Sequence, residues 1–343
     1  MRKLKTAAAV ALAATMAFGL IGCGGTSASG TASSAGSTSA SGAASDTGRY
    51  KVALVVKHTD AHFQRVMAGA TAYAEENDIT LEIQSPTSST AYEEQMNMIE
   101  TLLSNDTYDA VIISPLQSDA TAVLVESSDK VVIALDTDFT SDKKTAFVGT
   151  GNEDAAKAGG VRAAELAIER GAEAPTAVIL AGVQGDETHD ARVNGYKEGI
   201  ESMGGSVIDI QYTDALADKA ATSMESIMQK YPDGVDIICS IADDMAMAAA
   251  KVISDSGSDI YAQAVICGFD GNQSAVEAVQ SGALGLDVAQ LGYSMGYKAV
   301  EAAVKALDGE QVDSFIDSGY KLVESSNVED FITELKDQGS WEE

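Results

Sequence analysis

The chain has 343 residues, with 52 Asp and Glu against 22 Lys and Arg, a formal net charge of −30. A field of that sign repels nucleic acid and anionic lipid, and it disfavours a strongly anionic ligand. Three histidines, three cysteines and no CxxC pair give a zinc site little support.

Arg2, Lys3 and Lys5 precede an apolar run of small residues from Ala7 to Gly22. The run is shorter than the ~20 residues that span a bilayer comfortably, so residues 1–22 read as a signal peptide. The tetrapeptide Leu20-Ile21-Gly22-Cys23 resembles the lipobox of bacterial lipoproteins, which implies cleavage before Cys23 and lipidation of its thiol. A thiol is the readily alkylated nucleophile such chemistry needs. Residues 24–48 hold one charge, Asp46, and no large apolar side chain. Residues 23–49 are therefore expected to be a lipidated cysteine followed by a disordered linker. Its reach, ~5–6 Å × √25, is roughly 25–30 Å, enough to hold a domain off a membrane. The expected location is extracytoplasmic, on the cell membrane, held by the lipid anchor alone.

From Tyr50 short apolar runs alternate with amphipathic stretches. The strand candidates are YKVALVVK (50–57), ITLEIQ (79–84), DAVIIS (109–114) and KVVIALD (130–136). A second series follows with TAVILAG (176–182), SVIDIQYT (206–213), VDIICS (235–240), QAVICGFD (263–270) and LGLDVAQ (284–290). Helical patterns separate them, among them Phe63–Glu76, Ala91–Leu103, Ala155–Arg170, Arg192–Ser202, Lys219–Lys230, Met245–Ser254 and Ser294–Leu307. Continuous apolar strands alternating with helices predict parallel sheets covered on both faces. The break near Phe147–Asn152 divides the series into two, so the expected fold is α/β with two doubly wound parallel-sheet lobes. Cys239 and Cys267 fall in apolar strand runs and are expected to be buried free thiols.

In open sheets of this kind ligands bind at the carboxyl ends of the strands. Those ends carry Lys57, His58, Asp60, His62 and Phe63, then Asp136 and Asp138, then Arg192, Asp243, Asp244, Phe269, Asp270 and Gln290. The mixture suits a polyol: each hydroxyl both donates and accepts, and planar groups grip adjacent hydroxyls in pairs. An aromatic ring packs on the apolar face of a sugar. Plainer roles compete. Asp243 and Asp270 equally suit helix N-caps, Phe63 and Phe269 the core, Lys57 the surface, His62 a structural contact, and Asp138 and Asp244 solvent.

Together the stretches DAHF, IISP (112–115), ALDTD, FVGTGN (147–152), ARVNGY, DDMAM, VICGFDG and VAQ followed by GYSMG run in an order that resembles the type I periplasmic-binding-protein family. The likeness is to the sugar-binding lipoproteins of ABC importers, of the ribose and galactose type, and it covers Tyr50 to Leu335. It implies two lobes joined by three crossover segments, an N-terminal lobe of 50–150 plus 291–317 and a C-terminal lobe of 151–290 plus 318–343. It also implies that Asp60, Phe63 and Asp136 line the first lobe, with Lys57 and His62 nearby. Arg192, Asp243, Phe269, Asp270 and Gln290 would line the second lobe or the hinge. Phe63 and Phe269 would sandwich the sugar ring. The chain departs from the family at Ala242, where Asn is common, at Thr137, where pentose binders often carry Arg, and at Gly151, where Asp is usual. Those changes bear on which sugar is bound.

The resemblance therefore implies a membrane-tethered, monomeric solute-binding protein that traps a neutral monosaccharide or polyol and delivers it to an ABC transporter permease. It implies no cofactor, metal, catalytic residue or nucleic acid. A sensory receptor for a sugar or sugar-like autoinducer is the alternative output. A nucleoside or an acidic or phosphorylated sugar, which Lys57 could meet, is the alternative ligand. A repressor core would need a DNA-binding segment where the lipobox-like stretch stands. A glycosidase would need carboxylates on opposite sides of a bond, whereas Asp136/Asp138 and Asp243/Asp244 each share one loop.

Overall fold

The computed structural model describes residues 48–341, so Cys23 and the signal-like segment lie outside the described residues, as does the linker up to residue 47. The first stretch builds β1 (Tyr50–Val55), α1 (Ala61–Glu76), β2 (Ile79–Gln84), α2 (Tyr92–Ser104), β3 (Ala110–Ile113), α3 (Ser118–Glu126), β4 (Val131–Leu135) and β5 (Ala146–Gly149). The second builds α4 (Asn152–Glu169), β6 (Thr176–Ala181), α5 (Glu187–Ser202), β7 (Ser206–Tyr212), α6 (Ala217–Lys230), β8 (Ile237–Ser240), α7 (Asp243–Ser256), β9 (Val265–Asp270), α8 (Gln273–Ser281) and β10 (Leu286–Gln290). Then come α9 (Gly292–Leu307), β11 (Phe315–Asp317), β12 (Tyr320–Glu324) and α10 (Val328–Asp337).

The strands form two sheets. The first has the order β11-β5-β4-β3-β1-β2, parallel throughout. The second has the order β12-β10-β9-β8-β6-β7 and is parallel except at its edge, where β12 runs antiparallel to β10. These are two doubly wound lobes. The chain passes from the first sheet to the second after β5, returns after β10 and crosses again between β11 and β12. The apolar pattern does not single out β5, β11 and β12. β5 and β11 span only four and three residues, too few for a period to show.

The strands read as unbroken apolar runs because both faces of each sheet are covered. In the first lobe Leu54, Ile112 and Ile133 face α1 and α9, while Val55, Val111 and Val132 face α2 and α3. The second lobe has one continuous core, in which Cys239 and Cys267 are buried free thiols. Leu54 and Ile179 are fully buried, and truncating either to alanine would cost about 2–5 kcal/mol.

Two helix crossings are set by glycine. A Cβ at Gly296 would stand 1.8 Å from the Val66 carbonyl oxygen, and one at Gly195 would stand 2.2 Å from that of Glu153. Only glycine lets α9 approach α1, and α5 approach α4, this closely. The crossings matter because α1 carries His62 and Arg65, and α5 carries Arg192.

Candidate functional site

In the first lobe the site begins where β1 ends. Asp60 is the N-cap of α1, its carboxylate accepting the Phe63 amide at 2.9 Å, which aims the first turn of that helix. Past β4, Asp136 takes a left-handed backbone (φ 63°) that turns its carboxylate towards α1. Its Oδ1 lies 3.0 Å from His62 Nε2 and its Oδ2 lies 3.2 Å from Lys57 Nζ, which also donates to the Thr137 hydroxyl. Burial by itself would raise the pKa of Asp136. The Lys57 charge and the His62 hydrogen bond outweigh burial and hold the carboxyl well below the usual carboxylate range. From α2, the buried Gln95 donates to the Val56 and Ser114 carbonyls and accepts the Leu116 amide, bracing the ends of β1 and β3.

The second lobe contributes a tighter network. Arg192 Nη1 donates to the Ile241 carbonyl at 2.8 Å and to Asp270 Oδ1 at 3.1 Å, and its Nε donates to Asn152 Oδ1 at 2.8 Å. Gln290 Nε2 donates to Asp270 Oδ1 at 2.7 Å, and Gln290 Oε1 accepts the Thr150 hydroxyl at 2.9 Å. Thr150 and Ser318 pair at 3.3 Å. Thr150, Gln290 and Ser318 come one each from the three places where the chain changes sheet. The hydrogen-bonded chain from Arg192 to Ser318 therefore ties the second lobe's strand-end loops to the three crossings.

A cavity of about 1120 Å³ opens between the lobes, with Gln117, Thr137 and Phe139 on one wall and Asn152, Asp186 and Thr188 on the other. None of the ten residues expected to meet ligand lines it directly. Thr137, bonded to Lys57, and Asn152, bonded to Arg192, do line it, so Lys57 and Arg192 are each one hydrogen bond removed from the wall.

Lys57, His62 and Asp136 converge in one lobe, and Arg192, Asp270 and Gln290 in the other. Asp60 joins neither cluster, and its side chain is about half exposed beside His58. Three expected contacts need correction. Asp243 is completely buried and accepts the Asn272 amide at 2.7 Å, so it supports the loop after β9 and does not face the cavity. Phe269 is also completely buried, its ring face covered by the Arg192 guanidinium at 3.8 Å and its edge met by Tyr196. That face has no room for a sugar. Phe63, 3% exposed and flanked edge-on by His58 and His62, is part of the first lobe's core. A Phe63–Phe269 sandwich does not exist in this arrangement.

Gln95, Thr150, Asn152 and Ser318 escape a reading of strand ends. Gln95 has a detectable signal, since it shares the buried face of α2 with Ile99 and Leu102 at helical spacing. Thr150 and Asn152 lie in FVGTGN, the break between the two βαβ series.

Two lobes, three crossings and polar side chains gathered at strand ends beside an interlobe cavity define a two-lobed solute-binding protein. The chain belongs to the periplasmic binding protein family, whose domain matches residues 52–311. The ribose import binding protein of Bacillus subtilis is 32% identical over 217 residues, 62% of this chain and 68% of that protein. A periplasmic ribose ABC transporter structure from Conexibacter woesei superposes with a TM-score of 0.75 at 23% identity, covering 85% of this chain and 97% of its own. A solute binding protein of Actinobacillus succinogenes with bound D-allose gives 0.71 at 20% identity, covering 82% of this chain and all of its own. At such identities the two structures speak for the fold. The chain is a solute-binding protein of the type I periplasmic class and not an enzyme. Among the described residues no helix is long and apolar enough to cross a membrane.

Proposed function

We propose that this protein is the substrate-capturing component of an ABC importer for a neutral monosaccharide of the ribose or allose kind. It would be tethered outside the cytoplasm through lipidated Cys23 and would dock on a permease once closed. The observation that carries the reading is the Arg192–Asp270–Gln290 network, which aligns donors and acceptors at the strand ends and links them to all three crossings. Ligand gripped there would shift an open–closed equilibrium by its differential affinity for the closed form. The lobes expected to rotate are 50–150 plus 291–317 and 151–290 plus 318–343. Relatives named for ribose and allose support a sugar. The cavity wall supports a neutral one, because Asp119, Asp138, Glu153, Asp154, Asp186 and Glu187 line it with no Lys or Arg among them.

The test is thermal-shift screening of the full chain against pentoses, hexoses, polyols, sugar phosphates and nucleosides. A ligand at a hundred times its dissociation constant adds about 2.7 kcal/mol, a shift of a few degrees. A response to ribose or allose supports the reading. A response confined to nucleosides or sugar phosphates overturns it. For the anchor, metabolic labelling with a radioactive fatty acid should mark the chain, and Cys23→Ser should abolish the label.

A further inference from the structure

Arg65 projects from α1 of the first lobe, yet its hydrogen bonds lie in the second. Its Nη1 donates to the Gly271 carbonyl at 3.1 Å and its Nη2 to the Asp270 carbonyl at 3.2 Å, and the residue is 3% exposed. The turn it holds is strained. Asp270 sits at φ 126°, a region that residues with a Cβ seldom enter, and Gly271 at φ 73°. From the other side, Asp243 Oδ2 holds the same turn through the Asn272 amide.

Asp243 shares its burial with a second acid. Asp287 on β10 is also completely buried, and a Cβ at Gly268 would stand 2.4 Å from Asp287 Oδ2 and 2.8 Å from Asp243 Oδ1, so the two carboxyls converge there. No donor meets hydrogen-bond geometry with Asp243 Oδ1 or with either Asp287 oxygen; the Gly271 amide comes near enough only to favour the carboxylate. Two facing carboxylates without donors repel strongly, and one proton between them makes each the other's partner. Charge balance agrees. Arg65 and Arg192 are positive and Asp270 is negative, so the cluster is neutral when the acid pair carries one proton.

We propose that Arg65 is a positioning residue for ligand binding, which reaches across the lobes to hold the Asp270–Gly271 turn in its binding shape over an Asp243–Asp287 pair that shares one proton. The groups facing the pair are Arg65 from α1, Asp270 from β9 and Tyr196 from α5; Arg65 in turn feels Asp60. Burial and the neighbouring acid push Asp243 well above the carboxylate range. Burial, opposed by the hydrogen bond to Asp243 and the Arg65 charge, lifts Asp287 to about 6. The proposal rests on the solute-binding reading of the cleft, but its first test needs no ligand.

That test is amide hydrogen exchange at residues 270–272, with ¹³C titration of the two aspartate carboxyls, on the full chain without ligand. Arg65→Met should speed exchange in the turn tenfold or more and move proton release from the pair to higher pH, because a nearby cation that favours the carboxylates is gone. Arg65→Lys keeps the charge but not the paired donors, so it should restore the titration and only part of the protection. Asp287→Asn should remove the titration while the fold persists. Both carboxyls ionised at pH 5, or unchanged exchange in Arg65→Met, overturns the proposal. Should Arg65→Met not fold, the lysine and asparagine variants still decide it. The second test measures affinity for whichever panel sugar binds. Arg65→Met should weaken it roughly tenfold or more, and affinity should fall as pH rises through release of the shared proton in the wild type but not in Asp287→Asn. A panel with no responding sugar counts against the sugar reading, and the ligand-free titration still judges Arg65.

Discussion

The two halves of the site solve the same problem differently. In the first lobe Asp136 is held by Lys57 and His62 in a compact, partly exposed cluster, with Lys57 23% and Asp136 15% exposed. In the second lobe Asp270 is held by Arg192 and Gln290, and that network runs on through Thr150 to the hinge. A local cluster can tune what is recognised. A network that spans the crossings can transmit recognition to domain movement. The first lobe's half should therefore control selectivity, and the second lobe's half both affinity and closure.

The largest expected effect comes from breaking the hinge-linked half. Arg192→Ala leaves the Asp270 carboxylate short of its cationic partner and uncovers the face of Phe269. Stability should drop by about 3–5 kcal/mol in urea denaturation, and the sugar-induced thermal shift should vanish. An unchanged thermal shift would mean that the ligand lies elsewhere. Next is Lys57→Met, which leaves Asp136 with His62 and the Thr137 hydroxyl but no lysine partner. Affinity should fall roughly tenfold, the loss of one charge-assisted contact, measured by titration calorimetry.

The same variant has a signature in acid. Because the folded-state pKa of Asp136 is depressed, its contribution to stability is present above the ordinary aspartate pKa near 3.9 and disappears as pH falls below it. The wild type should lose stability between about pH 4 and pH 2, and Lys57→Met should lose less there. Equal acid sensitivity of the two proteins would refute the ion pair. Smaller again is Thr150→Val, which removes one neutral hydrogen bond from Gln290. It should cost about 1 kcal/mol, a fewfold loss of affinity, with the fold intact by circular dichroism. Asp60→Ala should have the smallest effect on recognition. It removes the N-cap of α1 at about 1 kcal/mol of stability, and sugar preference should stay as it was.

Several features were legible from local pattern alone. Unbroken apolar strands alternating with helices specify parallel sheets covered on both faces, because only such sheets bury both sides of every strand. The interruption at Phe147–Asn152 marks a passage between sheets, and chemistry-bearing residues gather where strands end because helices close the other routes to ligand. Lys57, Asp136, Arg192, Asp270 and Gln290 were identifiable on that rule. What each of them does was not, because one sequence position suits a ligand contact, a helix cap or a core brace equally well.

Tertiary structure decided those roles. Asp243 turned inward because an amide, Asn272 N–H, and a second acid, Asp287, wait beneath it. Phe269 became core because Arg192 covers its ring. Arg65 and Asp287 are more than 200 residues apart, and nothing in either local stretch announces the other. A hydrophobic period reports which face of an element is buried, since burial acts on each element separately. Electrostatic partners meet only when the lobes are built, so the sequence alone determined the class of protein and its strand ends, while the packed fold decided which charges pair with one another and which are buried.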